Sequence, residues 1–122
     1  MSAVFRDYDQ AALDAQYDQR AWAPGMDAVI ARYAARSDEV RARYGEPVTH
    51  AYGASAVEKL DVYGGADRKQ TFVFVHGGAW RRESRRASAF AAEPVLRAGA
   101  TYVALGFAAI PAVSLPEMAQ QV

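Results

Sequence analysis

Apolar and polar positions change rhythm several times along this chain. Met26, Ile30, Tyr33, Ser37, Val40 and Tyr44 recur at intervals of four and three, which places them on one face of a helix over 26–44. Asp27 near its start and Arg41 and Arg43 near its end suit the helix dipole, and Gly45 and Pro47 stop it. A shorter helix is expected from about Gln10 to Tyr17, packed by Leu13 and Tyr17. Val48, His50 and Tyr52 then alternate with Thr49 and Ala51, the period of a strand. After Gly53–Ala56, a second strand carries Val57, Leu60, Val62 and Tyr63 and ends in the turn Gly64-Gly65-Ala66-Asp67.

The pattern tightens at TFVFVHGGAW, Thr71 to Trp80. A continuous run of β-branched and aromatic residues bounded by glycine predicts a strand over 71–76, buried on both faces as in a mostly parallel sheet. A helix is expected from roughly Arg85 to Ala98, with Ala87, Phe90, Ala91 and Val95 facing inward. Pro94 should kink or split it, because an interior proline removes a hydrogen bond and clashes with the preceding turn. Gly99 is its expected cap. Thr101–Phe107 reads as a second buried strand, 108–114 as a loop around Pro111, and Leu115 onward as an amphipathic helix.

Strand, helix and strand over 71–107 make a βαβ unit, expected to be right-handed. The fold class is therefore α/β: antiparallel edge strands followed by a parallel βαβ. Residues 1–46 form a helical arm and 47–122 the sheet portion of one domain. No internal repeat, low-complexity segment or composition break marks a linker.

Charge adds little. Lys plus Arg and Asp plus Glu are 14 each, so no bias toward nucleic acid or an anionic membrane is expected. The arginines on 26–44 are interrupted by Asp38 and Glu39 and read as a solvated helix face. RRESRR, Arg81–Arg86, also reads as a solvated run, although its position leaves open an arginine that meets an acidic substrate. With no cysteine there is no disulfide, thiol nucleophile or thiolate metal site. Two histidines, His50 and His76, without an H-E-x-x-H arrangement argue against zinc, and no phosphate-binding glycine loop is present. No cofactor is expected. The opening MSAVFRDYDQ lacks a basic stretch followed by an apolar core, and no apolar run is long enough to span a bilayer. A cytoplasmic location is the expectation.

The chemistry concentrates in His76-Gly77-Gly78-Ala79-Trp80. Paired glycines let the backbone turn sharply and approach a ligand closely, since no Cβ intervenes. A strand ending in exposed, forward-pointing N–H groups is suited to developing negative charge, the physical core of an oxyanion hole.

This pentad resembles the HGG motif of α/β-hydrolase esterases, lipases and formamidases, whose oxyanion hole lies in the loop after the third strand. Within that superfamily the chain is similar to the kynurenine formamidases (arylformamidases) over nearly its whole length. The likeness includes Gln16-Tyr17 with Arg20, Tyr52-Gly53, Glu58–Tyr63, HGGAW, Ser88-Ala89-Phe90, Pro94-Val95 and Ser114–Met118. The resemblance implies the N-terminal half of an α/β-hydrolase fold, with Gly77 and Gly78 offering backbone N–H groups to a tetrahedral oxyanion. It implies that His76 supports the loop rather than acting as general base. Trp80 either walls the acyl or aryl pocket or packs under the following helix, and the small Ala79 enlarges that pocket. Tyr17 and Arg20 either contact substrate or belong to an arm that merely covers the sheet. His50 is not expected to be catalytic, because the family's catalytic histidine comes much later.

The family's G-x-S-x-G elbow, acid and histidine are not found in these 122 residues. Gly53-Ala54-Ser55-Ala56-Val57 lacks the closing glycine and precedes the oxyanion strand, so it is not an elbow. The expected partner is a complementary polypeptide carrying the nucleophile and the rest of the fold, with a homo-oligomer of the completed unit possible. The expected substrate is a small amide or ester, foremost an N-formyl arylamide such as N-formylkynurenine. A carboxylesterase of the same fold and a non-catalytic interaction module are the alternatives, with a nucleotide-binding domain a distant fourth.

Overall fold

A computed structural model describes residues 2–122, which fall into two compact units with the boundary along the chain between Arg32 and Tyr33. In the first unit, helix α1 spans Gln10–Tyr17 and α2 spans Gln19–Trp22. Asp9 caps α1 by accepting the Ala12 N–H at 2.8 Å, which satisfies one of the free donors of the first turn. Arg20 pairs with Asp27 at 3.3 Å on the surface. Tyr17 does not pack as expected: it is 74% exposed, and no residue of α1 is buried. Helix α3, Met26–Tyr44, has the predicted bounds and ends at Gly45, whose φ of 91° lets its N–H fold back to the Arg41 carbonyl.

The second unit is built on a four-stranded mixed sheet in the order β1-β2-β4-β3: β1 Val48–Ala51, β2 Lys59–Tyr63, β3 Thr71–Val75 and β4 Thr101–Leu105. β1 and β4 pair with β2 in antiparallel fashion, whereas β3 and β4 run parallel, with Thr71 opposite Thr101 and Val75 opposite Leu105. Between β3 and β4 lie a 3-10 helix, Arg86–Ala91, and helix α4, Ala92–Arg97. The split falls just before Pro94. Gly99, at φ 80°, closes α4: its N–H reaches the Leu96 carbonyl and that of Ala100 reaches Val95, the paired bonds of a left-handed helix terminus. Helix α5, Leu115–Gln121, opens with a reciprocal capping box between Ser114 and Glu117.

Burial corrects several expectations. β3 is not covered on both faces; Phe72, Val73 and Val75 are each about half exposed. It occupies the end of the sheet and, among the described residues, pairs with β4 alone, so the buried parallel strand is β4, where Tyr102 to Leu105 are all buried. β4 also stops two residues short of Phe107. Gly106, just past its end, still donates to the Lys59 carbonyl of β2 at 2.9 Å. Of the residues expected to face inward, Ala91 and Val95 do pack against the core and Phe90 packs edge-on against Phe74, but the buried residues of this segment are Ser88, Ala89, Ala92 and Leu96. A 3-10 helix repeats every three residues, which shifts the face that a 3.6 period would bury.

The core joins Val40, Tyr63, Ala89, Ala92, Leu96, Tyr102 and Ala104, with Phe74 packed against it. Ser37, fully buried, docks α3 onto the 3-10 helix: its hydroxyl donates to the Ala87 carbonyl at 2.8 Å and accepts the Phe90 N–H at 2.9 Å. Arg41 is a correction to the solvated helix face. It is 7% exposed and donates to the Arg86 carbonyl at 2.7 Å and to Asp38 at 2.5 Å. Burial pushes the nearby Tyr63 phenol above its ordinary pKa, against the opposing effect of the Arg41 charge.

Candidate active site

β3 delivers the glycine pair to the carboxyl end of the parallel strands, where open α/β sheets place their ligands. The ladder ends at Val75, and the chain turns at once. The Gly78 carbonyl accepts the N–H of Arg81 at 3.1 Å and of Arg82 at 3.0 Å. Gly78 has φ 112°, and Ala79 and Trp80 follow at 53° and 59°, both left-handed. Non-glycine residues in that region cost roughly 1–2 kcal/mol each. The turn is held from outside as well, because the Ile110 N–H donates to the Trp80 carbonyl at 2.8 Å.

This geometry leaves the N–H groups of Gly77, Gly78, Ala79 and Trp80 without an acceptor among the described residues. Successive unpaired N–H groups in a tight turn form a concavity suited to an anion. The two glycines differ in surroundings. A Cβ on Gly77 would meet nothing within 4 Å, whereas one on Gly78 would overlap the Arg82 carbonyl and, at 2.9 Å, the Glu83 side chain. Gly78 is therefore required by the turn itself, while Gly77 keeps the approach open.

His76 is half-buried beside these donors. Its Nδ1 lies 2.9 Å from the Gly77 carbonyl. A carbonyl only accepts, so Nδ1 carries the proton in this contact. The ring stacks on Phe107 with centroids 4.3 Å apart. Ala79 is exposed. Trp80 is 59% exposed, so it does not pack under the following helix. Tyr17 belongs to the first unit.

The RRESRR run is not uniformly solvated. Arg85 is half-buried, and its Nε donates to Asp61 at 3.0 Å; Arg86 pairs with Glu46 at 3.3 Å on the surface. Asp61, 4% exposed, also accepts the Thr49 hydroxyl at 2.7 Å. This buried pair escaped the reading of the sequence. Its one signal was an acid at the centre of the otherwise apolar strand KLDVY. Nearby, the Tyr52 hydroxyl donates to the Gly106 carbonyl, and burial together with the Glu58 charge raises its pKa.

Among the described residues no group of three or more His, Asp or Glu is placed to hold a metal. A shallow apolar groove bordered by Gln70, Phe72, Pro94 and Val95 sits at the opposite end of β3 and includes no residue of the glycine turn.

No protein-family model matches the chain. It is 34% identical to the kynurenine formamidase of Danio rerio, in an alignment covering 90% of this chain and 41% of that protein. It is also 34% identical to the Salmo salar kynurenine formamidase across 58% of its length and 25% of the relative's. The chain is thus similar to kynurenine formamidases over most of its own length. It spans well under half the length of these relatives. Among solved structures, a candidate thioesterase from Silicibacter sp. superposes with a TM-score of 0.77 at 25% identity, over 86% of this chain and 41% of that one. Esterase B from Lactobacillus rhamnosis superposes with a TM-score of 0.53 at 25% identity, over 86% and 37% of the two chains. The sheet is thus part of an α/β-hydrolase fold, and the glycine turn stands at the carboxyl end of its parallel pair. No helix among the described residues is long and apolar enough to cross a membrane.

Proposed function

We propose that this chain supplies the oxyanion hole of a serine hydrolase that cleaves an amide or ester bond, foremost an N-formyl arylamide such as N-formylkynurenine. The observation that carries this reading is the run of unpaired N–H groups from Gly77 to Trp80 at the end of β3, in a chain similar to kynurenine formamidase. Acyl hydrolysis passes through a tetrahedral intermediate whose oxygen becomes anionic. Donors fixed about 3 Å from that oxygen stabilise it by roughly 3 kcal/mol each. Gly77 and Gly78 are the donors assigned here, and exposed Trp80 borders the acyl or aryl group of the substrate.

The nucleophile, its acid and its histidine come from a complementary polypeptide segment. The half-exposed apolar strand β3 supports this part of the reading: its outer edge, opposite β4, is the side on which a further strand would continue the sheet. Such a strand would bring its own carboxyl-terminal turn beside Gly77 and Gly78. Likeness to the esterase and thioesterase structures favours carboxylic esters as the second substrate class.

The test is to purify the protein in native form and assay hydrolysis of N-formylkynurenine and of an aryl acetate, with native mass spectrometry on the same preparation. Faster turnover of the formamide by material containing a serine-elbow segment is expected. Material that contains that segment and hydrolyses neither compound overturns the proposal.

A further inference from the structure

Resting on that reading, we propose that Asp61 and Arg85 are positioning residues that fix the exit of the oxyanion turn. The turn begins on β3 and must be held at both ends for its N–H groups to keep one geometry. Its entry is fixed by pairing of Val75 with Leu105, and its middle by the Ile110–Trp80 bond. Beyond Trp80, Glu83 is again left-handed, at φ 74°, and the chain becomes regular only in the 3-10 helix from Arg86. Arg85 is the last residue before that helix, and its side chain runs back across the sheet end to Asp61.

The sheet register shows how direct this tether is. Thr49 lies opposite Asp61, Asp61 opposite Ala104, and Ala104 opposite Phe74. Asp61 therefore shares a row with Phe74, two residues before His76, and the ion pair ties the exit of the turn to the level of its entry. The arginine stem passes Gly106, where an added Cβ would come within 3.2 Å of Arg85 Cδ. Strand alternation puts Asp61 on the same face as Tyr63, toward the core, so its carboxylate is desolvated. A buried ion pair gives little or no net stability over an apolar residue of similar size, but it fixes direction and distance. An apolar residue at 61 would fill the space and leave the turn unanchored.

Amide hydrogen exchange in the native protein tests this without substrate, so its outcome is separable from that of the hydrolysis assays. The probes are the hydrogen-bonded amides of Arg81, Arg82 and Ile110, read against those of β4. In Arg85→Gln, a partly exposed site that should fold, exchange at the three probes is expected to rise about tenfold with β4 protection unchanged. Asp61→Asn, which keeps an acceptor for Thr49, should reproduce that pattern, and Arg85→Lys should restore part of the protection. Equal acceleration in the turn and in β4 would mean a purely global role and overturn the proposal. So would unchanged exchange at all three probes.

Discussion

The His76 imidazole lies flat against the Phe107 ring, with planes 12° from parallel and centroids 4.3 Å apart. The contact joins the residue after β3 to the chain leaving β4, and Nδ1–H of the same ring holds the Gly77 carbonyl. Phe107→Ala should therefore weaken both the packing and the turn. A loss of about 1–2 kcal/mol is expected, below that of a fully buried aromatic because Phe107 is only half-buried. Urea unfolding should show a lower midpoint with an unchanged slope. In a double-mutant cycle with His76→Ala, the combined loss should be smaller than the sum of the two single losses.

Gly77 and Gly78 should respond differently to the same substitution. Gly78→Ala places a Cβ against the Arg82 carbonyl at φ 112°, so the turn must rearrange. A loss of about 2 kcal/mol or more is expected, and in the proposed hydrolase about 10²–10³ in kcat if the N–H is displaced. Gly77→Ala meets open space and should change stability by less than about 0.5 kcal/mol. Any effect of Gly77→Ala on the enzyme should then appear as a substrate-dependent rise in KM. Equal destabilisation by the two alanines, measured by thermal or urea unfolding, would contradict the difference in their surroundings.

Much of this architecture was legible in residue order. The 3-4 spacing of Met26 to Tyr44, the alternation in 48–52 and the glycine-bounded run at 71 each carried their element with little ambiguity. What could not be read was which strand would be interior. Both TFVFV and TYVAL are apolar, and only the order β1-β2-β4-β3 makes one an edge and the other the centre. The site divided along the same line. Gly77 and Gly78 announce a turn by composition, but the left-handed Ala79 and Trp80 carry no such signal, since neither residue favours that conformation. Arg41 and Arg85 resembled their solvated neighbours because burial of a charge depends on a partner distant in sequence. For Arg85 that partner is Asp61, 24 residues earlier.

Tyr102 gives the fold an alkaline limit. Its ring is fully buried, and its hydroxyl donates to the Ser88 carbonyl at 2.6 Å. Burial raises its pKa first of all, with a smaller contribution from Tyr63. In the unfolded chain a tyrosine titrates near about 10. Its folded pKa is therefore raised, so this contribution to stability is complete below about pH 10 and declines as pH rises toward the folded value. In that window the unfolding free energy should fall by up to about 1.4 kcal/mol per pH unit from this group alone. Tyr102→Phe should flatten the slope while lowering stability near neutrality by about 1 kcal/mol, because the Ser88 carbonyl loses its donor. Parallel pH profiles for the two proteins would show that Tyr102 is not the titrating group.

Ala79→Gly separates the cost of the turn from its use. Ala79 sits at φ 53° with its side chain exposed, so glycine removes the steric penalty and sacrifices no packing. Greater freedom of glycine in the unfolded chain opposes this gain, leaving an expected net stabilisation of about 0.5–1 kcal/mol. The same freedom acts on the folded turn. With Trp80 also left-handed and the N–H groups of 77–80 unpaired, a second flexible residue beside Gly78 should let those donors sample several directions. Electrostatic stabilisation of an oxyanion depends on donors already aligned before charge develops. In the proposed hydrolase the variant should therefore be more stable yet turn over more slowly, by about tenfold in kcat with a smaller change in KM. Thermal unfolding and steady-state kinetics on one preparation read both effects. If Ala79→Gly is more stable and equally active, rigidity at this position has no part in the catalysis proposed for the turn.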